Sequence, residues 1–498
     1  MDLLANLALG FDAAIDPGAL LYCLIGVTLG TFIGVLPGIG PLAAISLLLP
    51  LTFYVPATSS IIMLAGVYYG AQYGGSTASI LLNLPGTPSS AVACLDGHPM
   101  ARQGRAGVAL FMTTIASFAG AMIGLVILAG FSPAIARLGL MFGPPEYFAV
   151  MTLGLVAAAT LSGSPLRGCS MVVLGLLLSM VGTDVNSGVT RFDFGQPALM
   201  EGITLVALAM GLFGVSDVIA SINNVRHAAP AGSIRMRDML PTREDWARSW
   251  KPMLRGSAIG SFFGALPGTG TSIASFMAYS AEKRAAREPE RFGNGAIEGV
   301  TAPESANNAA AQTAFVPTLS LGIPGDAVMA LMMGALIIHG ITPGPTMMTD
   351  RPEVFWGLVV SFAFGNLMLL VLNIPLIGVW VSMLRIRYYV LYPFILVFIG
   401  LGVYSVNNSA FDILLVAGLG VLGYVLRLLR FEPAPLLLGF ILGPLMEETL
   451  RRTLTLSGGD PAALLNSPLS VGLLAASLGL VVWSALPRRR ARPATPSA

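Results

Sequence analysis

Three observations on this sequence predict an all-α polytopic membrane protein of about 12 transmembrane helices, arranged as two inverted repeats whose helices are broken or made re-entrant by Pro-Gly pairs. The first is composition: 55% of the 498 residues are hydrophobic and 10% charged, with a mean hydropathy of +0.78, against roughly 25% charged in a soluble domain. The second is run length. Apolar segments near the roughly 20 residues needed to cross a 30 Å hydrocarbon core fill most of the chain. They do not alternate in polarity, as Val172-Val-Leu-Gly-Leu-Leu-Leu-Ser-Met180 illustrates, which excludes a transmembrane β-barrel. The third is a duplication. Gly26-Val-Thr-Leu-Gly-Thr-Phe-Ile-Gly-Val-Leu-Pro-Gly-Ile-Gly40 reappears as Gly256-Ser-Ala-Ile-Gly-Ser-Phe-Phe-Gly-Ala-Leu-Pro-Gly-Thr-Gly270, at a constant offset of 256 − 26 = 230.

In chain order, the first half (1–221) holds apolar runs at 18–36, 41–55, 58–82, 107–131, 146–162, 167–184 and 197–221. Asp2, Asp12 and Asp16 precede the first run without a Lys or Arg, so the basic n-region of a secretory signal is missing and the first span is expected to be retained. A polar linker (222–252) follows, in which Arg226, Arg235, Arg237, Arg243, Arg248 and Lys251 outnumber the acids; such loops stay cytoplasmic. The second half (253–487) holds runs at 253–280, 299–321, 325–342, 353–382, 388–406, 410–428, 433–446 and 468–486, and ends in a basic cytoplasmic tail (488–498) with Arg488-Arg-Arg-Ala-Arg492. The net charge of +2 carries little information beside this distribution. Cys23, Cys94 and Cys169, like His98, His227 and His339, are scattered and suggest packing rather than a metal or redox site. No cofactor and no nucleic-acid partner is expected.

The loop with Lys283, Arg284, Arg287 and Arg291 is basic as well. If it and the linker both face the cytoplasm, run 253–280 enters, breaks at Leu266-Pro-Gly-Thr-Gly270 and returns as a hairpin, each arm about 12 residues or roughly 18 Å long. The first copy has the same arithmetic, and the two copies would enter from opposite faces. The alternative is one tilted, kinked helix with 282–291 outside, since Glu282, Glu288 and Glu290 dilute the positive signal.

Gly26, Gly30 and Gly34, matched by Gly256, Gly260 and Gly264, line one helix face and allow close backbone approach in lipid. Pro37 and Pro267 break the helix, and the neighbouring glycines permit unusual backbone angles. Backbone groups freed at membrane depth are tolerated only where protein, water or a ligand satisfies them. Pro37, Gly38 and Gly40 in the first copy, and Pro267, Gly268, Thr269, Gly270 and Thr271 in the second, are therefore candidate ion ligands, with more of the coordination on the hydroxyl-rich second copy.

A second motif pair follows, Asn83-Leu-Pro-Gly86 and Gly322-Ile-Pro-Gly325, offset by 324 − 85 = 239. Upstream lie the polar stretches Tyr68-Tyr-Gly-Ala-Gln-Tyr-Gly-Gly-Ser-Thr77 and Ala302-Pro-Glu-Ser-Ala-Asn-Asn308. On a helix Thr301, Glu304, Ser305, Asn308 and Gln312 share a face. Ionisable groups inside a membrane usually face a pathway, which makes Glu304 a candidate for ion coupling. The competing reading is a capping box, Thr301 with Glu304. Asp326 either caps the next helix or lines a vestibule. Asp184 suggests a loop residue, and Arg427, Arg430, Arg451 and Arg452 suggest interfacial anchors.

These motifs together make the chain resemble the large membrane subunit of the tripartite tricarboxylate transporters. Residues 34–40, 73–77, 264–271 and 299–308 carry the likeness, which spans nearly the whole length. The resemblance implies a permease of the bacterial cytoplasmic (inner) membrane, working with a small membrane subunit and a periplasmic solute-binding protein, and importing citrate or a related carboxylate on a sodium or proton gradient. The substrate would then meet Gly74, Gly75, Ser76, Thr77, Asn83, Ser305, Asn307 and Asn308 through helix N-termini, amides and hydroxyls, with no arginine clamp, since neither motif contains a base. The alternatives are an intramembrane enzyme using Glu304 or Asp326, against which no H-E-x-x-H or G-x-S-x-G motif stands in the sequence, and a channel.

Overall fold

The computed structural model describes residues 3–36, 40–161, 164–184, 187–222, 236–384 and 388–485. It is 80% helical; the one strand pairing among the described residues joins Gly182–Thr183 antiparallel to Thr190–Arg191. The burial pattern is that of a membrane protein. Leu24, Phe262, Phe398, Leu414 and Trp483 are exposed, while Gln72, Ser76, Thr77, Glu304, Asn307, Asn308 and Asn366 are buried.

The duplication has a structural meaning. In the first copy, helix Pro17–Val35, capped by the Asp16 carboxylate, lies along helix Ala57–Leu82. A Cβ on Gly26, Gly30 or Gly34 would collide with the carbonyl oxygen of Met63, Val67 or Ala71 respectively. In the second copy, helix Arg243–Gly264 lies along helix Glu298–Thr313, and a Cβ on Gly256, Gly260 or Gly264 would collide with the carbonyl of Ala302, Ala306 or Ala310. The partners are offset by 302 − 63 = 239, as are the two Pro-Gly loops downstream. Both copies thus use the same three glycines against the same three carbonyls, so the repeat extends to the packing.

Each copy breaks where the proline stands. The first resumes as Pro41–Thr52; Pro37 and Gly38 lie outside the described residues. The second resumes as Gly270–Ala285. There Gly268 and Gly270 have φ of +83° and +65°, the left-handed region that glycine adopts without penalty. Gly268 also lies so close to helix Pro144–Leu161 that a Cβ would come within 2.7 Å of the Ala158 amide nitrogen.

Run 253–280 is a hairpin. Arg255 on one arm grips Glu282 on the other with two hydrogen bonds, Nε–Oε2 at 2.8 Å and Nη2–Oε1 at 2.5 Å. A continuous helix would hold residues 27 apart (282 − 255) roughly 40 Å from each other at 1.5 Å per residue. The two arms of the first copy diverge instead: Pro41–Thr52 packs on Ala57–Leu82, on the π-helical turn Met210–Val215 and on helix Ala327–Ile338.

Helix Arg243–Gly264 begins inside the polar linker, so Arg243, Arg248 and Lys251 form its first turns. Its start is fixed by a reciprocal capping box of Thr242 with Asp245 and by an Arg105–Asp245 ion pair of 2.5 Å. Burial works to raise the Asp245 carboxyl, but the bonds from Arg105 and Thr242 outweigh it and hold the group below the usual carboxylate range.

Four described helical runs are long and apolar enough to cross a bilayer: Pro17–Val35, Ser89–Gly139, Pro352–Asn373 and Ala410–Leu428. The expected count of about 12 transmembrane helices is not reached by helices of spanning length among the described residues, because breaks divide several of the apolar runs. Run 299–321 splits into Glu298–Thr313 and Phe315–Leu321, and run 353–382 splits after Asn373. Ala57–Leu82 has the length but carries Gln72, Ser76 and Thr77 in its middle.

Candidate functional site

A cavity of about 750 Å³ lies where the breaks of the two copies meet. Residues 40–43 of the first copy and 270–273 of the second line it, position for position at the offset of 230. The loops after the polar helices line it too, residues 85–89 from the first half and 326–328 from the second. Tyr68, Gln72, Ala158, Phe213, Asp217, Arg427 and residues 432–435 complete the lining. Of the ion ligands expected from sequence, Gly40, Gly268, Thr269, Gly270 and Thr271 reach this cavity.

The polar groups at the cavity are held in place from both halves. Ser89 Oγ donates to Gln72 Oε1 at 2.7 Å and lies 3.0 Å from Thr87 Oγ1. Tyr68 donates to Asp326 Oδ2 at 2.9 Å, while Asp326 Oδ1 accepts the Met329 amide at 2.8 Å. Asp326 is therefore both the cap of Ala327–Ile338 and a cavity group. Two carbonyls at the second break already have a partner, since the Thr269 hydroxyl lies against Phe263 O and Leu266 O, and the Gly268 amide donates to Gly325 O at 2.7 Å.

Glu304 lies elsewhere. It is buried between Ala57–Leu82, Ala106–Gly139 and Glu298–Thr313, with Ser117 Oγ at 3.4 Å from Oε2 and Ser76 facing the same carboxylate. The capping-box reading of Thr301 and Glu304 is overturned. The helix begins at Glu298, and Thr301 Oγ1 donates back to Ile297 O at 3.1 Å, one full turn inside. The cause is Asp96, fully buried, whose Oδ1 gathers the amides of Gly293, Gly295 and Ala296 at 2.8–2.9 Å while Tyr279 donates to Oδ2 at 2.9 Å. That clamp fixes the loop from which the helix starts. Nothing in the local sequence around Asp96 signals a partner 200 residues away; only the Gly293-Asn-Gly295 spacing hints at exposed amides.

Around Glu304 several buried polar atoms find no partner among the described residues: Asn307 Oδ1 and Nδ2, Asn308 Oδ1 and Gln312 Oε1. Asn308 spends its amide on Glu304 O at 3.1 Å, and Ser305 Oγ on Ala302 O at 3.0 Å. Buried polar atoms are normally satisfied, so this cluster suits a bound polar species. The expected substrate set is thereby divided. Ser76, Thr77, Ser305, Asn307 and Asn308 belong to the buried helices behind the cavity. Gly74 packs on the Thr31 carbonyl and Gly75 against Thr87. Asn83 is exposed, ending Ala57–Leu82 in the left-handed conformation (φ +56°) as Gly322 (φ +71°) ends Phe315–Leu321. None of these eight lines the cavity.

Sequence reasoning missed Arg427 and Asp217, which form an ion pair on the cavity wall. The only signal was a base in apolar run 410–428 and an acid in run 197–221. Arg451, also taken for an interfacial anchor, binds Asp184 at 2.9 Å and Glu447 at 2.6 Å.

Fold and site together define a helical, multi-pass membrane protein in which two copies of a broken helix line one cavity that carries both apolar and polar groups. The chain belongs to the tripartite tricarboxylate transporter TctA family, whose model matches residues 20–438. It is 50% identical over 493 residues to an uncharacterised 52.8 kDa protein in the TAR-I ttuC′ 3′ region of Agrobacterium vitis, covering 99% of this chain and 98% of that one. A protein of the TAR-II ttuC′ 3′ region of the same organism is 52% identical over 233 residues, 47% of this chain and 96% of its own length. No solved structure matches the chain.

Proposed function

We propose that this chain is the permease subunit of a secondary active importer for a tricarboxylate or related carboxylate. It resides in the bacterial cytoplasmic membrane with a small membrane subunit and receives substrate from a periplasmic solute-binding protein. The two copies enter the membrane from opposite faces as an inverted repeat, and a sodium or proton gradient drives uptake. The observation that carries this reading is the cavity lined at equivalent positions of both copies, the arrangement that lets one site be exposed alternately by relative movement of two halves. The Arg255–Glu282 clasp supports a cytoplasmic hairpin in the second copy. The substrate occupies the cavity, and the coupling cation sits at Glu304 with the Ser76 hydroxyl and the unpaired oxygens of Asn308 and Gln312.

The test is uptake into proteoliposomes holding this chain with both partner subunits, using radiolabelled citrate and a panel of di- and tricarboxylates under imposed sodium or pH gradients. Gradient-dependent accumulation of at least one of them is expected, and Glu304→Gln should remove the gradient dependence. Absence of gradient-driven uptake for every carboxylate would end the carrier reading.

A further inference from the structure

We propose that Arg427 is the residue that recognises a carboxylate of the substrate, with Asp217 as its counter-ion whenever no substrate is bound. The inference rests on the carrier reading above and specifies how its site discriminates. Among the described residues that line the cavity, Arg427 is the one base, facing three acids, Asp217, Asp326 and Glu432. Asp326 is engaged at both oxygens, by Met329 and Tyr68, and Glu432 is exposed. Asp217 Oδ1 pairs with Arg427 through Nη1. A guanidinium has five N–H donors arranged as a fork that matches a carboxylate edge, so donors remain for a second anion.

The pair is held on a rigid support. Gly423 of helix Ala410–Leu428 lies so close to the neighbouring backbone that a Cβ there would come within 3.1 Å of Leu212 O and 3.0 Å of Ser216 Cβ, which brings the last turn of that helix beside Asp217 at the start of Ser216–Ile222. The volume of about 750 Å³ falls in the roughly 300–1,000 Å³ range of small-molecule sites. A polycarboxylate entering it must exchange water for protein donors. Neutral hydroxyls and amides from Thr271, Ser272, Thr87 and the helix starts serve part of that need, and a cation gives the charge-assisted part. Asp217 neutralises Arg427 when no substrate is present and competes with the substrate for it. The site therefore reads anionic charge at one defined point, and removing the competitor should tighten binding.

The experiment compares Arg427→Gln, Arg427→Lys, Asp217→Asn and the double variant Asp217→Asn with Arg427→Gln, all in the assembled transporter. Uptake KM is measured in proteoliposomes for whichever carboxylate of the panel the unaltered protein transports. Melting temperature in detergent is measured alongside. Arg427→Gln should raise KM at least about tenfold, the loss expected for a charge-assisted hydrogen bond, with a melting temperature close to that of the unaltered protein. Arg427→Lys should recover part of that loss. Asp217→Asn should lower KM, and the double variant should stay as weak as Arg427→Gln. If the pair is only a tie between helices, both single variants lower the melting temperature at unchanged KM, and the neutral double variant recovers stability; that pattern overturns the proposal. Failure of the unaltered protein to move any carboxylate removes the carrier reading beneath it, a result distinct from a KM indifferent to residue 427.

Discussion

Asn307 has no exposed surface, and neither its Oδ1 nor its Nδ2 meets a partner among the described residues. Leaving such a group buried and unpaired costs about 1–3 kcal/mol, a cost with no compensation in packing, since leucine has nearly the same shape. A residue kept at that cost serves something other than the fold. Asn307→Leu should therefore raise the thermal stability of the purified protein while lowering carboxylate uptake. A variant that is both less stable and fully active would assign Asn307 to packing. The same logic separates it from Asp96, whose carboxylate is fully used by three amides and a phenol and which acts as a fixed anchor for the start of Glu298–Thr313.

At the scale of helices, the two glycine faces allow carbonyls of one helix to sit where a side chain would otherwise stand, so each broken helix and its polar partner form a rigid pair. Gly260 is the middle contact of the second pair, against the Ala306 carbonyl. Gly260→Val inserts a branched side chain against immovable backbone, and overpacking of this kind costs about 1–3 kcal/mol or more. Gly418, with open space around its Cβ position on a lipid-exposed helix, is the control: Gly418→Val should leave the melting temperature within a degree or two. Equal effects at 260 and 418 would mean that close approach is not what the repeated glycines provide. These faces and the break positions were readable in sequence, because a glycine every fourth residue and a Pro-Gly pair act through local backbone geometry. What was not readable depends on contacts far along the chain. Thr301 and Glu304 match the spacing of a capping box, but Asp96 moves the helix start to Glu298. Arg427 looks like any base near the end of an apolar run until Asp217, 427 − 217 = 210 residues earlier, is seen beside it.

For the whole molecule, the deciding question is how the two broken copies are oriented, since an alternating carrier needs their breaks at a common depth with the cavity between them. The second copy is constrained by chemistry at its base. Arg255 and Glu282 are joined side by side, and further ion pairs link Arg248 with Glu298 at 3.3 Å and Arg291 with Glu298 at 3.2 Å. These contacts tie the start of Arg243–Gly264 to the loop after Gly270–Ala285. Desolvating so many charges inside hydrocarbon would be prohibitive, so the base of this hairpin belongs at an aqueous face, and both of its flanks share that face. Single cysteines at exposed Glu244 and Arg287, in a protein whose Cys23, Cys94 and Cys169 are replaced by serine, should react with a membrane-impermeant maleimide from the same side, the cytoplasmic one in inside-out vesicles. A cysteine at exposed Tyr54, beyond the second arm of the first copy, should react from the opposite side if the copies are inverted. Labelling of 244 and 287 from different sides would contradict the hairpin. Labelling of all three from one side would leave the hairpin standing and remove the inversion, and with it the symmetry argument for alternating access.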